Sequence, residues 1–152
     1  MKVAVVVTNT EYYLKKLPCP FKEKVEEFIG ANGDDITFFE TIPSDRQVIS
    51  DILGRLVDEK MADLVLTICG SGCNPADITP EATLDVIDKQ LPGIPEAIRS
   101  LNEKQRLVLN RGVAGIRNSS IIVNLPKKEM GVMEALKKLY PQLKHGVDNL
   151  QG

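Results

Sequence analysis

The chain has 152 residues, 43% hydrophobic and 26% charged, the composition of an ordinary globular protein long enough to bury a real core. Nineteen basic against 21 acidic residues leave a net charge of −2, which gives no sign of general nucleic-acid affinity. Three cysteines, an odd number, exclude a disulfide framework and fit unpaired thiols in a reducing compartment.

The first seven residues carry one charge and a short apolar run. They are too short for a membrane span and lack a signal-peptide cleavage pattern, so no membrane partner is expected and the location is read as cytoplasmic. Val3 to Val7 is continuous and mostly β-branched, as in a strand covered on both faces. Thr8 to Pro20 reads as an irregular connection, because Pro18 and Pro20 forbid an unbroken helix. Phe21, Val25, Phe28 and Ile29 follow helical spacing until Gly30 and Asn32-Gly33. Ile36 to Thr41 is a strand. Ser44 and Gln47 then predict a capping box for a helix whose stripe includes Val48, Ile49, Ile52, Leu53, Leu56 and Val57.

Leu64 to Ile68 reads as a buried strand, and Gly70-Ser71-Gly72 as a tight turn behind it. Thr79 is expected as N-cap of the next helix, with Pro80 at its first position and Glu81 in its first turn. Leu91-Pro92-Gly93 breaks that helix, and Ile94 to Leu101 forms another. Arg106 to Leu109 is a strand candidate, Asn110 to Asn118 a glycine-bearing loop with Arg111 and Arg117, and Ser119 to Leu125 a strand. Two helices follow, one with Met130, Met133, Leu136 and Leu139 on its core stripe and one from Pro141 to Leu150. His145, the one histidine, falls on this last helix and reads as a surface residue. There are no repeats or linkers, so residues 1–152 are expected to form one domain.

Strands alternating with helices argue for an α/β fold with a mostly parallel sheet covered on both faces. Ligands bind such sheets beyond the C-terminal strand ends. Three loops, Pro43 to Arg46, Cys69 to Glu81 and Asn110 to Asn118, are expected to converge there and gather Asp45, Asp77, Glu81, Arg111 and Arg117 around glycine backbone. A strand, a glycine loop and a helix N-terminus suit an anion. Two carboxylates, Asp77 and Glu81, do not. Asp77 either builds the turn, holds Mg²⁺ beside phosphate oxygens, or accepts paired N–H donors from a heterocycle such as a pterin or guanine. Glu81 and Asp45 each have the plainer reading of an acid in a helix first turn.

Two longer stretches carry more. Asp77-Ile78-Thr79-Pro80-Glu81-Ala82-Thr83, directly after strand and Gly-x-Gly, resembles the D-[VI]-T-P-E-A-T signature of the MogA/MoaB molybdopterin-binding family. Arg111-Gly112-Val113-Ala114-Gly115-Ile116-Arg117-Asn118-Ser119-Ser120, running on to Leu125-Pro126, is similar to that family's second signature. Ile42-Pro43-Ser44-Asp45 and Leu91-Pro92-Gly93-Ile94 resemble further segments of it. The resemblance implies a three-layer α/β/α fold, a homotrimer and molybdenum-cofactor biosynthesis, with molybdopterin adenylylated by ATP with Mg²⁺ and pyrophosphate released. It places Asp45 and Asp77 at catalytic or pterin-binding positions. It assigns substrate binding to Gly70, Ser71, Gly72, Thr79, Pro80, Glu81, Arg111, Gly112 and Asn118, and names no protein ligands for a metal.

The chain departs from the pattern in several places. Cys69 stands where the family loop has glycine, Asn110 where it has serine, and Lys127-Lys128-Glu129 where it has Gly-Ser-Pro. Glu103 to Arg106 lacks the family's Thr-Pro, and Thr8 to Pro20 lacks its Ser-Gly-Pro-rich segment. An alternative to the enzyme is therefore a divergent relative that binds molybdopterin or another pterin without transferring AMP. A third reading is an oligomeric interaction protein with a vestigial pocket.

Overall fold

The computed structural model describes residues 1–101 and 107–152. Its centre is a six-stranded sheet built from β1 (Lys2–Thr8), β2 (Asp35–Ile42), β3 (Leu64–Ile68), β4 (Lys89–Gln90), β5 (Ala114–Arg117) and β6 (Ser120–Leu125), in the order β2-β1-β3-β6-β5-β4. β2, β1, β3 and β6 run parallel, while β5 and β4 close one edge antiparallel. The helices are α1 (Thr10–Leu14), α2 (Lys22–Ala31), α3 (Arg46–Asp58), α4 (Thr79–Leu84), α5 (Gly93–Arg99) and α6 (Glu129–Gln151).

The layers follow from strand alternation. Val3, Val5 and Val7 of β1 point into a core shared with Val25 and Ile29 of α2, Ile98 of α5 and Leu136, Tyr140 and Leu143 of α6. Ala4 and Val6 point the other way, to Ile49, Leu53 and Leu56 of α3 and Ala82 of α4. With both faces buried, β1 and β3 carry apolar residues on both sides rather than at every second position, and the buried Thr67 of β3 has its hydroxyl bonded by Asn124. This is the expected α/β arrangement in three layers, with the parallel strands at its centre.

Several local expectations are corrected. Asp45, not Ser44, caps α3: its Oδ1 accepts the Val48 N–H at 3.0 Å. Ser44 is drawn away, its hydroxyl donating to the Thr8 carbonyl at 3.3 Å and its N–H to Thr10 Oγ1 at 2.8 Å, while Gln47 turns to Asp51 at 2.7 Å. Ile78 takes the cap position of α4, and Thr79 is already helical. The short helix α1 lies within the segment read as irregular, capped by Asn9. Of the strand candidate at 106–109, Arg106 is outside the described residues and Leu107–Leu109 is a 3₁₀ turn. The glycine loop at 110–118 contains β5. The two predicted C-terminal helices are one, because Pro141 falls on the solvent face, beside the exposed Lys137 whose carbonyl it leaves without an N–H partner. The buried stripe Val132, Leu136, Leu139, Tyr140, Leu143 and Val147 continues across it. Met130 is 60% exposed rather than core, since it precedes that stripe.

Candidate functional site

β3 ends in a sharp turn that starts the site. Cys69 and Gly70 both adopt left-handed backbone, with φ of 75° and 73°. The first is unusual for a residue with a side chain. At Gly70 a Cβ would come within 2.1 Å of Thr79 Oγ1 and 2.6 Å of Thr8 Oγ1, so glycine is required there by contact as well as by φ. Those two hydroxyls bond each other at 2.9 Å, and the Thr79 N–H donates to the Gly70 carbonyl at 3.1 Å. Thr79 and Pro80 are thus buried supports that lock the start of α4 onto the turn.

A cavity of about 290 Å³ opens beside this turn, at the C-terminal end of the parallel strands. One wall is Gly70-Ser71-Gly72-Cys73-Asn74 with Asp77; a second is Leu107, Leu109 and Asn110; a third is Pro126-Lys127-Lys128 after β6. Ser71 is 2% exposed and its hydroxyl points inward, donating to the Leu125 carbonyl at 3.4 Å and accepting from Asn110 Nδ2 at 2.9 Å. What the loop offers a ligand is backbone. Among the described residues, the N–H groups of Ser71, Gly72 and Cys73 donate to no protein acceptor. Asp77 Oδ2 reaches back to accept the Asn74 N–H at 3.0 Å and closes the loop, which leaves Oδ1 for a ligand.

Arg111 and Glu81 do meet at this site, but they brace it. Arg111 Nη1 lies 2.7 Å from Glu81 Oε2 and Nη2 3.2 Å from Oε1; Nε donates to the Gly72 carbonyl at 2.7 Å and Nη2 to the Asp77 carbonyl at 2.9 Å. The Arg111 N–H also donates to the Ser71 carbonyl at 2.7 Å. These bonds hold the Glu81 carboxyl below its usual range and raise the Arg111 guanidinium. Gly112 donates its N–H to Asn110 Oδ1 at 2.9 Å, and Arg99 holds the Asn110 and Gly112 carbonyls at 3.3 and 3.1 Å. Burial pushes the Cys69 thiol up to about 11 and also raises Cys19, while Cys73 is exposed at the cavity rim.

Three expected members lie elsewhere. Asp45 sits at the same sheet edge, since Ile42 pairs with Thr8, but its carboxylate caps α3 and is not part of the cavity wall. Arg117 and Asn118 are at the opposite end of the sheet, because β5 and β6 form a hairpin whose turn reverses the chain. Asn118 has φ of 52°; its side chain and that of Arg117 bind Asp58, with Arg117 Nη2 at 2.7 Å. The convergence expected from three loops is therefore met by two, without Arg117 or Asn118. Lys127, Lys128 and Leu109 were missed as site residues. The break in the Gly-Ser-Pro pattern was the one sequence signal for the lysines.

Among the described residues no three His, Cys, Asp or Glu side chains cluster closely enough to hold a metal ion. Among the described wall residues Asp77 alone brings an open carboxylate oxygen to the cavity, one oxygen where a protein-held divalent cation takes several.

Residues 4–145 match the family described as a probable molybdopterin binding domain. A molybdopterin adenylyltransferase of Helicobacter pylori is 40% identical over 117 residues, 76% of this chain and 66% of that relative. One of Escherichia coli is 40% identical over 98 residues, 63% of this chain and 50% of the relative. The matched stretch thus spans between half and just under two thirds of these relatives' length. The molybdopterin biosynthesis enzyme MoaB of Thermus thermophilus superposes with a TM-score of 0.90 at 28% identity, covering 98% of this chain and 95% of that one. The Mog protein of Mycobacterium ulcerans does so with 0.90 at 27% identity, covering 98% of each. The strand-to-helix glycine turn, the Asp77 loop and the hairpin strands β5 and β6 all lie inside the matched region, and the chain belongs to the family of probable molybdopterin-binding domains in molybdenum-cofactor biosynthesis.

Proposed function

We propose that the protein adenylylates molybdopterin, using ATP with Mg²⁺ and releasing pyrophosphate. The observation that carries this is the cavity itself. One loop presents unbonded N–H groups at Ser71, Gly72 and Cys73 together with an uncommitted Asp77 oxygen. A pterin ring with an exocyclic amine beside a ring N–H suits the carboxylate, and a phosphate suits the N–H groups, so a phosphorylated pterin satisfies both. In the proposed reaction the terminal phosphate of molybdopterin attacks the α-phosphorus of ATP. A phosphoryl transfer of this kind needs positioning and charge neutralisation more than a protein nucleophile. Gly70, Thr79 and Pro80 fix the loop, Glu81 and Arg111 brace it, and Gly112 sets the turn against which Asn110 holds Ser71. The Mg²⁺ enters with the nucleotide. A homotrimer and a cytoplasmic location complete the proposal; among the described residues no helix is long and apolar enough to cross a membrane.

The position of Asp45 favours a second reading. One Asp45 oxygen caps α3 and the residue lies outside the cavity wall, so a pterin could be bound in the cavity without the acid that transfer would draw on. Incubating the protein with molybdopterin, ATP and Mg²⁺ separates the two. Adenylyl transfer yields one pyrophosphate per pterin converted. Saturable pterin binding with no pyrophosphate establishes the binding protein instead, and failure to bind pterin or ATP removes both.

A further inference from the structure

We infer that Lys127 and Lys128 form a phosphate-chain subsite on the third wall of the cavity, one that takes a diphosphate or the polyphosphate part of a nucleotide. This deepens the proposed adenylyl transfer and rests on it for the identity of the nucleotide, though not for the chemistry of the subsite.

The lysines are held by what precedes them. β6 ends at Leu125, whose carbonyl accepts the Ser71 hydroxyl at 3.4 Å, and Pro126 is buried behind it. The chain that leaves β6 is therefore fixed beside the glycine turn, and both lysines line the same cavity as Gly70 to Asn74. Among the described residues neither lysine makes an ion pair. The adjacent carboxylate, Glu129, is taken by Lys24 at 3.1 Å. Asp77 is the one carboxylate in the described wall, and half of it is committed to the Asn74 N–H. Among the described residues, two exposed lysines without an ion pair thus line the same cavity as one partly used carboxylate and the unbonded N–H groups of Ser71, Gly72 and Cys73, and the charge of Lys127 also acts on Glu11.

Neighbouring like charges repel unless an anion lies between them. A flexible ammonium is a point charge that follows a phosphate chain, whereas a planar carboxylate is better matched by arginine. A diphosphate, with several charged oxygens, can engage the lysines and the loop together; a single carboxylate cannot.

The test is calorimetric titration of inorganic pyrophosphate, and separately of a phosphate-free pterin, into wild type, Lys127→Gln/Lys128→Gln and Lys127→Arg/Lys128→Arg, with melting temperatures as a folding control. The expected result is a Kd for pyrophosphate raised about tenfold or more in the double Gln variant, consistent with loss of charge-assisted hydrogen bonds. The Arg variant restores most of the affinity, pterin binding is unchanged, and wild-type affinity falls as salt is raised. Equal pyrophosphate affinity in wild type and the Gln variant overturns the subsite, as does a wild type that binds pterin but no pyrophosphate. Lysine-dependent pyrophosphate binding without any pterin binding upholds the subsite and overturns the molybdopterin reading. Binding of neither overturns both.

Discussion

Arg111 forks onto Glu81 with contacts of 2.7 and 3.2 Å while the same guanidinium holds the carbonyls of Gly72 and Asp77. One side chain from the segment before β5 thereby fastens both ends of the loop that carries Asp77. Arg111→Gln is expected to weaken ligand binding at least tenfold but to cost only about 1 kcal/mol of stability, because the pair is partly solvated. The acid limb carries the signature. With its folded pKa lowered by Arg111, Glu81 contributes stability that is fully present above its ordinary value of 4.5 and is lost as the pH falls through the lower folded value. Urea midpoints from pH 3 to 7 should fall less steeply on the acid side in the variant than in wild type. An unchanged slope would show that the pair is not formed in solution.

Asp77 has two tasks that two substitutions separate. Asp77→Asn keeps an oxygen to accept the Asn74 N–H and removes only the charge, so the melting temperature should stay within about 2 °C while pterin binding falls tenfold or more. Asp77→Ala loses both and should also lower the melting temperature. A large thermal loss in Asp77→Asn would make the residue a turn-builder and nothing more.

Gly70→Ala combines a left-handed φ of 73° with a Cβ only 2.1 Å from Thr79 Oγ1. Strain and displacement of buried Thr79 together should cost about 3 kcal/mol or more. Denaturant unfolding measures it directly; a loss below about 1 kcal/mol would mean that the turn rearranges freely.

The three thiols should differ sharply. Cys19 and Cys69 are buried and their pKa values are raised by that burial, whereas Cys73 is exposed at the cavity rim. Iodoacetamide at pH 8 should modify Cys73 first, and bound pterin or nucleotide should protect it. Mass spectrometry of the native protein checks this, and early labelling of Cys69 would contradict the buried turn.

By itself, the sequence determined the four parallel strands, the burial of β1 and β3 on both faces, and the glycine turn, but not the antiparallel edge of β5 and β4. Those depend on local signals: a mostly β-branched run at Val3–Val7, a largely apolar one at Leu64–Ile68, helical stripes, and glycine where no Cβ fits. The motif at Asp77 to Thr83 was equally legible, because it follows the strand directly. Tertiary structure decided what each polar residue does. A capping oxygen goes to whichever acceptor or donor lies nearest in space, so Ser44 turned to Thr8 and Thr10, and Asp45 became the cap. Arg117 and Asn118 share a motif with Arg111, yet four residues of β5 and a reversal carry them to the far end of the sheet. Lys127 and Lys128 looked like a lost motif, and only the placement of β6 beside β3 brings them to the glycine turn. Backbone preference is written in neighbouring residues, but the partners of a charge or hydroxyl are set by which strands lie side by side.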